Sequence, residues 1–250
     1  MKKDDIRFQY AIAGGAMMDL GTYPLSCVRQ VMRREAVGNV DSAHHRGLSV
    51  HADGTPPDPQ IDTAMRASFR TATGKRCTID ADLAASTEYL SFLPKGWRLR
   101  IPAMGMPKCE AVMEEVPVSD KHDGGTDTEH LVQKVITMWN FMLPVVYHRI
   151  DVVEKHRILR HGKEVKSWEK TTFKKAYNWA KDDPRRGKYK DYFTTWRAQL
   201  EEFVNRVKGR EGSRVWVDGE ESVRQMEGID AIYTKAGLAV RPSSRYASES

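Results

Sequence analysis

Apolar positions recur most regularly near the C-terminus. Trp196, Leu200, Phe203, Val204 and Val207 fall at offsets 0, 4, 7, 8 and 11, one face of a helix on a 3.6-residue period. A second helix is predicted from Asp218, whose carboxylate can cap free N–H groups with Glu221 three residues on. It ends at Gly237, with Pro242 beyond. Val223, Met226, Ile229, Ile232 and Tyr233 form its expected buried stripe. Near the N-terminus, Leu25, Val28, Val31 and Met32 follow Ala13-Gly14-Gly15 at helical spacing and predict a helix from about Ala16 to Arg34, kinked or divided by Pro24.

Between these helices the pattern shortens to that of strands. Residues 37–50 are mixed and β-compatible, and Gly54-Thr-Pro-Pro-Asp-Pro59 is a turn-rich loop. Ile61–Thr71 and Cys77–Ser86 read as a hairpin around Ala72-Thr-Gly-Lys75, and Glu88–Phe92 and Trp97–Ile101 alternate around Pro94-Lys-Gly96. Ala111–Val116, Val132–Met138 and Pro144–Val153 continue the strand pattern; Ser119–Thr128 is a polar loop, and Trp168–Tyr192 fits neither period. The expectation is a lead-in at 1–12, one α+β domain over 13–242 and a polar tail at 243–250, the domain having an open-faced, mostly antiparallel sheet with helices packed on one face.

Composition narrows the class. A chain of 250 residues with 40% hydrophobic content can bury a sizeable core, and no run of about 18 apolar residues suggests a membrane span. The polar start Met1-Lys2-Lys3-Asp4-Asp5 lacks a signal peptide's apolar stretch, and the three cysteines, Cys27, Cys77 and Cys109, are too widely spaced for a zinc site or disulfide framework. A cytoplasmic protein is expected. The net charge of +6 is concentrated at Arg149–Lys190, where 14 Lys/Arg face 6 Asp/Glu. With no nucleic-acid motif there, a solvated mixed-charge segment is the reading, and neither nucleic acid nor membrane is expected as partner. A dinucleotide fold would need βαβ units of about 30 residues with a G-x-G-x-x-G turn after the first strand, and no such turn is present.

Asp19 and Tyr23, four residues apart on the first helix, share one face. Gly14, Gly15 and Gly21 keep that face uncrowded, so a ligand or another backbone can come close. A phenol beside a carboxylate can exchange a proton with a substrate oxygen when a neighbour lowers the phenol's pKa; the same residues can equally be a helix cap and a half-buried aromatic. The segment Ala13-Gly-Gly-Ala-Met-Met-Asp-Leu-Gly-Thr-Tyr-Pro-Leu25 resembles the G-G-x-x-x-D-x-G-x-[HY] motif of the Gfo/Idh/MocA oxidoreductases, in the Tyr form of dimeric dihydrodiol dehydrogenases and fungal D-xylose dehydrogenases. The resemblance continues through Asn140–Pro144, Gln199–Val204, Trp216–Tyr233, Ala236-Gly-Leu238 and Arg241-Pro242.

By that resemblance the chain is similar to the family's C-terminal domain, with Tyr23 as acid/base on the hydroxyl being oxidised and Asp19 orienting substrate or tyrosine. Gly15, Tyr147 and His148 are candidate pocket residues. The family's Rossmann domain and its E-K-P lysine have no counterpart in this sequence. No cofactor is therefore expected on this chain alone, and NADP(H) is implied only where a Rossmann domain is supplied elsewhere. Three functions stay open: a dihydrodiol- or sugar-dehydrogenase-like substrate domain; a non-redox isomerase, lyase or cyclase, of a pericyclic kind in fungal secondary metabolism, reusing the pocket; and a non-catalytic partner. A homodimer through the open sheet face is implied. His44-His45 read as surface or satisfied histidines, and His122, Asp123, Asp127, Glu129 and His130 as one solvated acidic loop, with no metal expected. The aromatic run from Trp168 to Trp196 reads as a pocket wall or packing.

Overall fold

The computed structural model describes residues 5–51, 53–89, 99–102, 107–118, 128–142, 147–175, 181–183, 186–187, 190, 192–213 and 216–242, with backbone alone at 86–89 and 99–102. The chain forms two compact units, Met1–Gly105 with Val217–Ser250, and Met106–Trp216. The architecture is α+β, with open, antiparallel sheets.

In the first unit, β1 (Val37–Gly47), β2 (Asp62–Thr71) and β3 (Arg76–Asp82) form a three-stranded antiparallel sheet. Side chains alternate across it: Met65, Ala67 and Phe69 of β2 and Cys77, Ile79 and Ala81 of β3 are buried, while Arg66, Arg70, Thr78 and Asp80 are exposed. Ala64 and Ala67 supply small residues to that alternation, Ala67 buried and Ala64 half-buried. Two helices contribute to the same core, α1 (Thr22–Val31) through Leu25 and the long C-terminal helix, Gly219–Lys235, through Ile229, Ile232 and Tyr233. The other face of the sheet is charged, with Arg70–Asp41 at 3.5 Å and Arg66–Asp80 at 3.9 Å. A two-stranded ladder, β4 (Ser86–Tyr89) with β5 (Leu99–Pro102), matches the expected pairing in outline; residues 90–98 lie outside the described residues.

Helix boundaries depart from the sequence reading where proline chemistry intervenes. The expected helix over 16–34 is a π-helical turn, Met17–Gly21, running into α1. Pro24 has no N–H to continue the ladder, and the wider turn just before it accommodates the ring. The helix then ends early, because Arg33 and Arg34 adopt φ of 56° and 64°.

The second unit holds a five-stranded sheet in the order β10 (Lys163–Lys174), β9 (Arg149–Arg160), β8 (Thr128–Trp139) and β6 (Lys108–Val112), with β7 (Val116–Pro117) also on β8. Glu129 and His130, expected in a loop, belong to β8, because that strand pairs with β9 from Thr128 onward. The strand expected at 144–153 lies at 149–160, and Trp168 falls within β10 rather than in an unclassifiable run. Residues 119–127, which hold His122, Asp123 and Asp127, and residues 143–146 lie outside the described residues. The predicted helix at 196–207 is α2 (Thr195–Val207), capped by Thr194. The predicted C-terminal helix is α3 (Gly219–Lys235), capped by Asp218. Of the stripe expected to be buried on α3, Val223 and Met226 are exposed; only Ile229, Ile232 and Tyr233 reach the core, where β1–β3 provide an apolar floor.

Candidate functional site

The Gly14-Gly15 pair rests on a buried polar network. Asp62, at the start of β2, receives Met17 N–H on Oδ2 at 2.7 Å. Its Oδ1 receives the Tyr233 hydroxyl at 3.2 Å and Arg241 Nη2 at 2.9 Å. Arg241 also donates Nε–H to the Gly14 carbonyl at 2.8 Å, and its guanidinium lies over the Tyr233 ring at 4.1 Å and the Tyr10 ring at 5.1 Å. Both charged side chains are almost fully buried. Burial pushes the Asp62 carboxyl up from its ordinary range, opposed by the Met17 N–H and the Arg241 charge; the phenol of Tyr233 is likewise raised by burial.

This network explains the glycines. Gly15 has φ +126°, and a Cβ there would collide with Asp62 Oδ1 and with Arg241 Nη2. Gly14 would meet the backbone of Arg7 and Gln9 at 2.8 Å, and Gly21 would meet the Met17 sulfur at 2.5 Å. The close approach that the glycines permit is thus made by the chain's own atoms.

From this anchor the π turn carries Asp19 outward, its N–H bonded to the Gly15 carbonyl at 3.0 Å. π turns recur at functional sites. Arg7, on the short 3-10 turn Ile6–Phe8, donates Nε–H to Asp19 Oδ2 at 3.0 Å and holds Asp5 through Nη1. Asp19 is the main cause, with Asp5 behind it, of a raised Arg7 pKa. The other Asp19 oxygen has no hydrogen-bond partner among the described residues. Tyr23, in the first turn of α1, is 49% exposed, and its hydroxyl has no hydrogen-bond partner among the described residues. An exposed phenol and a carboxylate held by Arg7 therefore stand accessible on one helical run.

Two further candidates, Tyr147 and His148, lie in the second unit. Tyr147 is exposed and its carbonyl accepts from Asn140 Nδ2 at 2.7 Å, while His148 is buried. His44 and His45 are both exposed on β1, paired across to Arg66 and Met65. No group of three metal-ligating side chains occurs among the described residues, and no described helix is long and apolar enough to cross a membrane.

Sequence reasoning missed Arg7, Asp62 and the pairing role of Arg241. Asp62 and Arg241 lie 179 positions apart, and nothing in local periodicity joins them. The one available signal was an acid opening a strand whose alternate positions Met65, Ala67 and Phe69 are apolar.

Residues 1–105 match the family model of the GFO/IDH/MocA C-terminal domain. That span, under half of the chain, includes the glycine pair, Asp19 and Tyr23. No curated protein matches the chain.

Proposed function

We propose that this chain is the substrate-binding, proton-transferring part of an enzyme of GFO/IDH/MocA ancestry that acts on a hydroxylated small molecule, a sugar or an alicyclic diol. Tyr23 is its acid/base group, exchanging a proton with the substrate hydroxyl or carbonyl oxygen. Asp19 orients the substrate by accepting from a neighbouring hydroxyl. The observation that carries this reading is the Arg7-held Asp19 carboxylate one helical turn before an exposed tyrosine hydroxyl with no hydrogen-bond partner among the described residues.

The family resemblance implies NADP(H), but Gly14 and Gly15 do not fit as its phosphate cradle, because Arg7, Gln9, Asp62 and Arg241 atoms fill the space such a cradle leaves open. A second use of the pair is proton shuttling in an isomerase or lyase, which needs no nucleotide. Fluorescence titration with NADPH tests the second reading: saturable binding supports the dehydrogenase and removes the main support of the non-redox enzyme. Ligand-observed NMR with D-xylose and trans-cyclohexane-1,2-diol tests the shared site. Loss of the Tyr23 hydroxyl in Y23F is expected to weaken the bound probe about fivefold, one hydrogen bond's worth of about 1 kcal/mol. Failure of both probes to bind, or equal binding by Y23F, removes the reading.

A further inference from the structure

α2 sits with its amphipathicity reversed. Trp196, Leu200, Phe203 and Val207, its apolar stripe, are 71%, 57%, 55% and 70% exposed. Ala198, Glu201, Glu202 and Asn205, on the other side, are half-buried. Contacts with the flanking segments cover part of the polar side. Both Glu202 oxygens accept the Ser213 N–H, at 3.0 and 2.9 Å, the Arg206 guanidinium lies 4.4 Å over the Trp216 ring, and Thr194 Oγ1 accepts Arg197 N–H at 3.1 Å. A contiguous apolar stripe held toward solvent marks an interaction surface.

The stripe also specifies an occupant. Its spacings of 4, 3 and 4 are those of a heptad seam, which packs helix against helix. Two copies related by a two-fold axis between Leu200 and Phe203 place Trp196 against Val207 of the second copy and Leu200 against Phe203 of the second copy, large against small. Along the flanks, Gln199 then meets Arg206 of the second copy and Arg197 meets Val204 of the second copy, so no like charges oppose each other. Arg197 is already balanced by Glu201, with Nε 2.9 Å from Oε1. The four side chains expose on the order of 500 Å² per copy, so pairing buries roughly 1,000 Å², the lower bound for a specific interface.

We propose that α2 is a dimerisation helix, pairing antiparallel with α2 of a second copy of this chain across Trp196, Leu200, Phe203 and Val207. Light scattering coupled to size exclusion on the full chain, from about 1 to 100 µM, tests it, a range spanning the affinities that an interface of this size supports. The wild type is expected to reach a dimer mass. F203E places a charge on a side chain already exposed in the single chain, so circular dichroism and the urea midpoint stay unchanged while association weakens at least about tenfold. W196V alone weakens the dimer, and the size swap W196V/V207W restores it. A wild type that stays monomeric throughout overturns the proposal. So does a dimer unmoved by F203E, which puts the contact elsewhere, such as a sheet face, and so does a swap no tighter than W196V.

Discussion

Asp62 and Tyr23 are both polar groups on the segment that holds the candidate site, and burial gives them opposite parts. Asp62 answers a buried guanidinium, a backbone N–H and a hydroxyl at once. Removing it in Asp62→Ala leaves Arg241 charged, buried and without its counter-ion, an expected loss of about 3–5 kcal/mol in urea unfolding. Gly15→Ala is expected to be comparably severe, since it adds a collision with that same pair to a backbone at φ +126°. Tyr23→Phe removes a hydroxyl from a side chain already half in solvent, and unfolding should move by no more than about 0.5 kcal/mol while ligand binding falls. Equal destabilisation by Tyr23→Phe and Asp62→Ala would make Tyr23 a packing residue and withdraw it from the site.

Among the elements, the β2–β3 hairpin shows how a connection beyond a helix fixes a turn. Glu35, just after α1, receives Thr73 N–H at 3.1 Å, the Thr73 hydroxyl at 2.6 Å and Lys75 Nζ at 2.6 Å. The Lys75 hydrogen bond, followed by those of Thr71 and Thr73, lowers the Glu35 carboxyl from 4.5 to about 2. Because the folded value lies below the unfolded one, ionised Glu35 stabilises the fold above pH 4.5 and loses that contribution as the pH falls from 4.5 toward 2. The urea midpoint of Glu35→Gln should therefore lie below wild type at pH 7, with the gap closing between pH 4.5 and 2; a gap independent of pH would assign the effect to packing. This hairpin was legible in the sequence, since Ala72–Lys75 separates two runs whose inward positions meet one apolar floor. Both C-terminal helices and the Asp218 cap were legible for the same reason, local period and local chemistry. What stayed hidden depends on distant partners: the Asp62–Arg241 pair, the extent of β8 and β10, which pairing with β9 sets, and the outward turn of α2. A stripe at 3.6-residue spacing announces a helix and an apolar face, but not which neighbour, own chain or second copy, covers it.

At the scale of the whole molecule, burial is unequal between the units. The first has a continuous core in which Met17, Leu25, Met65, Phe69, Ile229, Ile232 and Tyr233 are closed from solvent. Among the described residues of the second, Ala111 and Val132 are the buried apolar side chains, α2 buries none, and every residue of β10 is exposed. Local opening is cheapest where few apolar contacts are lost, so amide exchange should be at least about tenfold faster in β10 and α2 than in β2, β3 and α3, a gap of roughly 1.4 kcal/mol or more. Dilution adds a second expectation. If α2 is covered by a second copy, its amides gain protection as concentration rises through the dimerisation range, while β10 and the core of the first unit do not respond. Exchange mass spectrometry at two concentrations reads both effects together. Uniform protection across the two units would join them into one cooperative fold, and α2 protection unaffected by dilution would detach that helix from self-association.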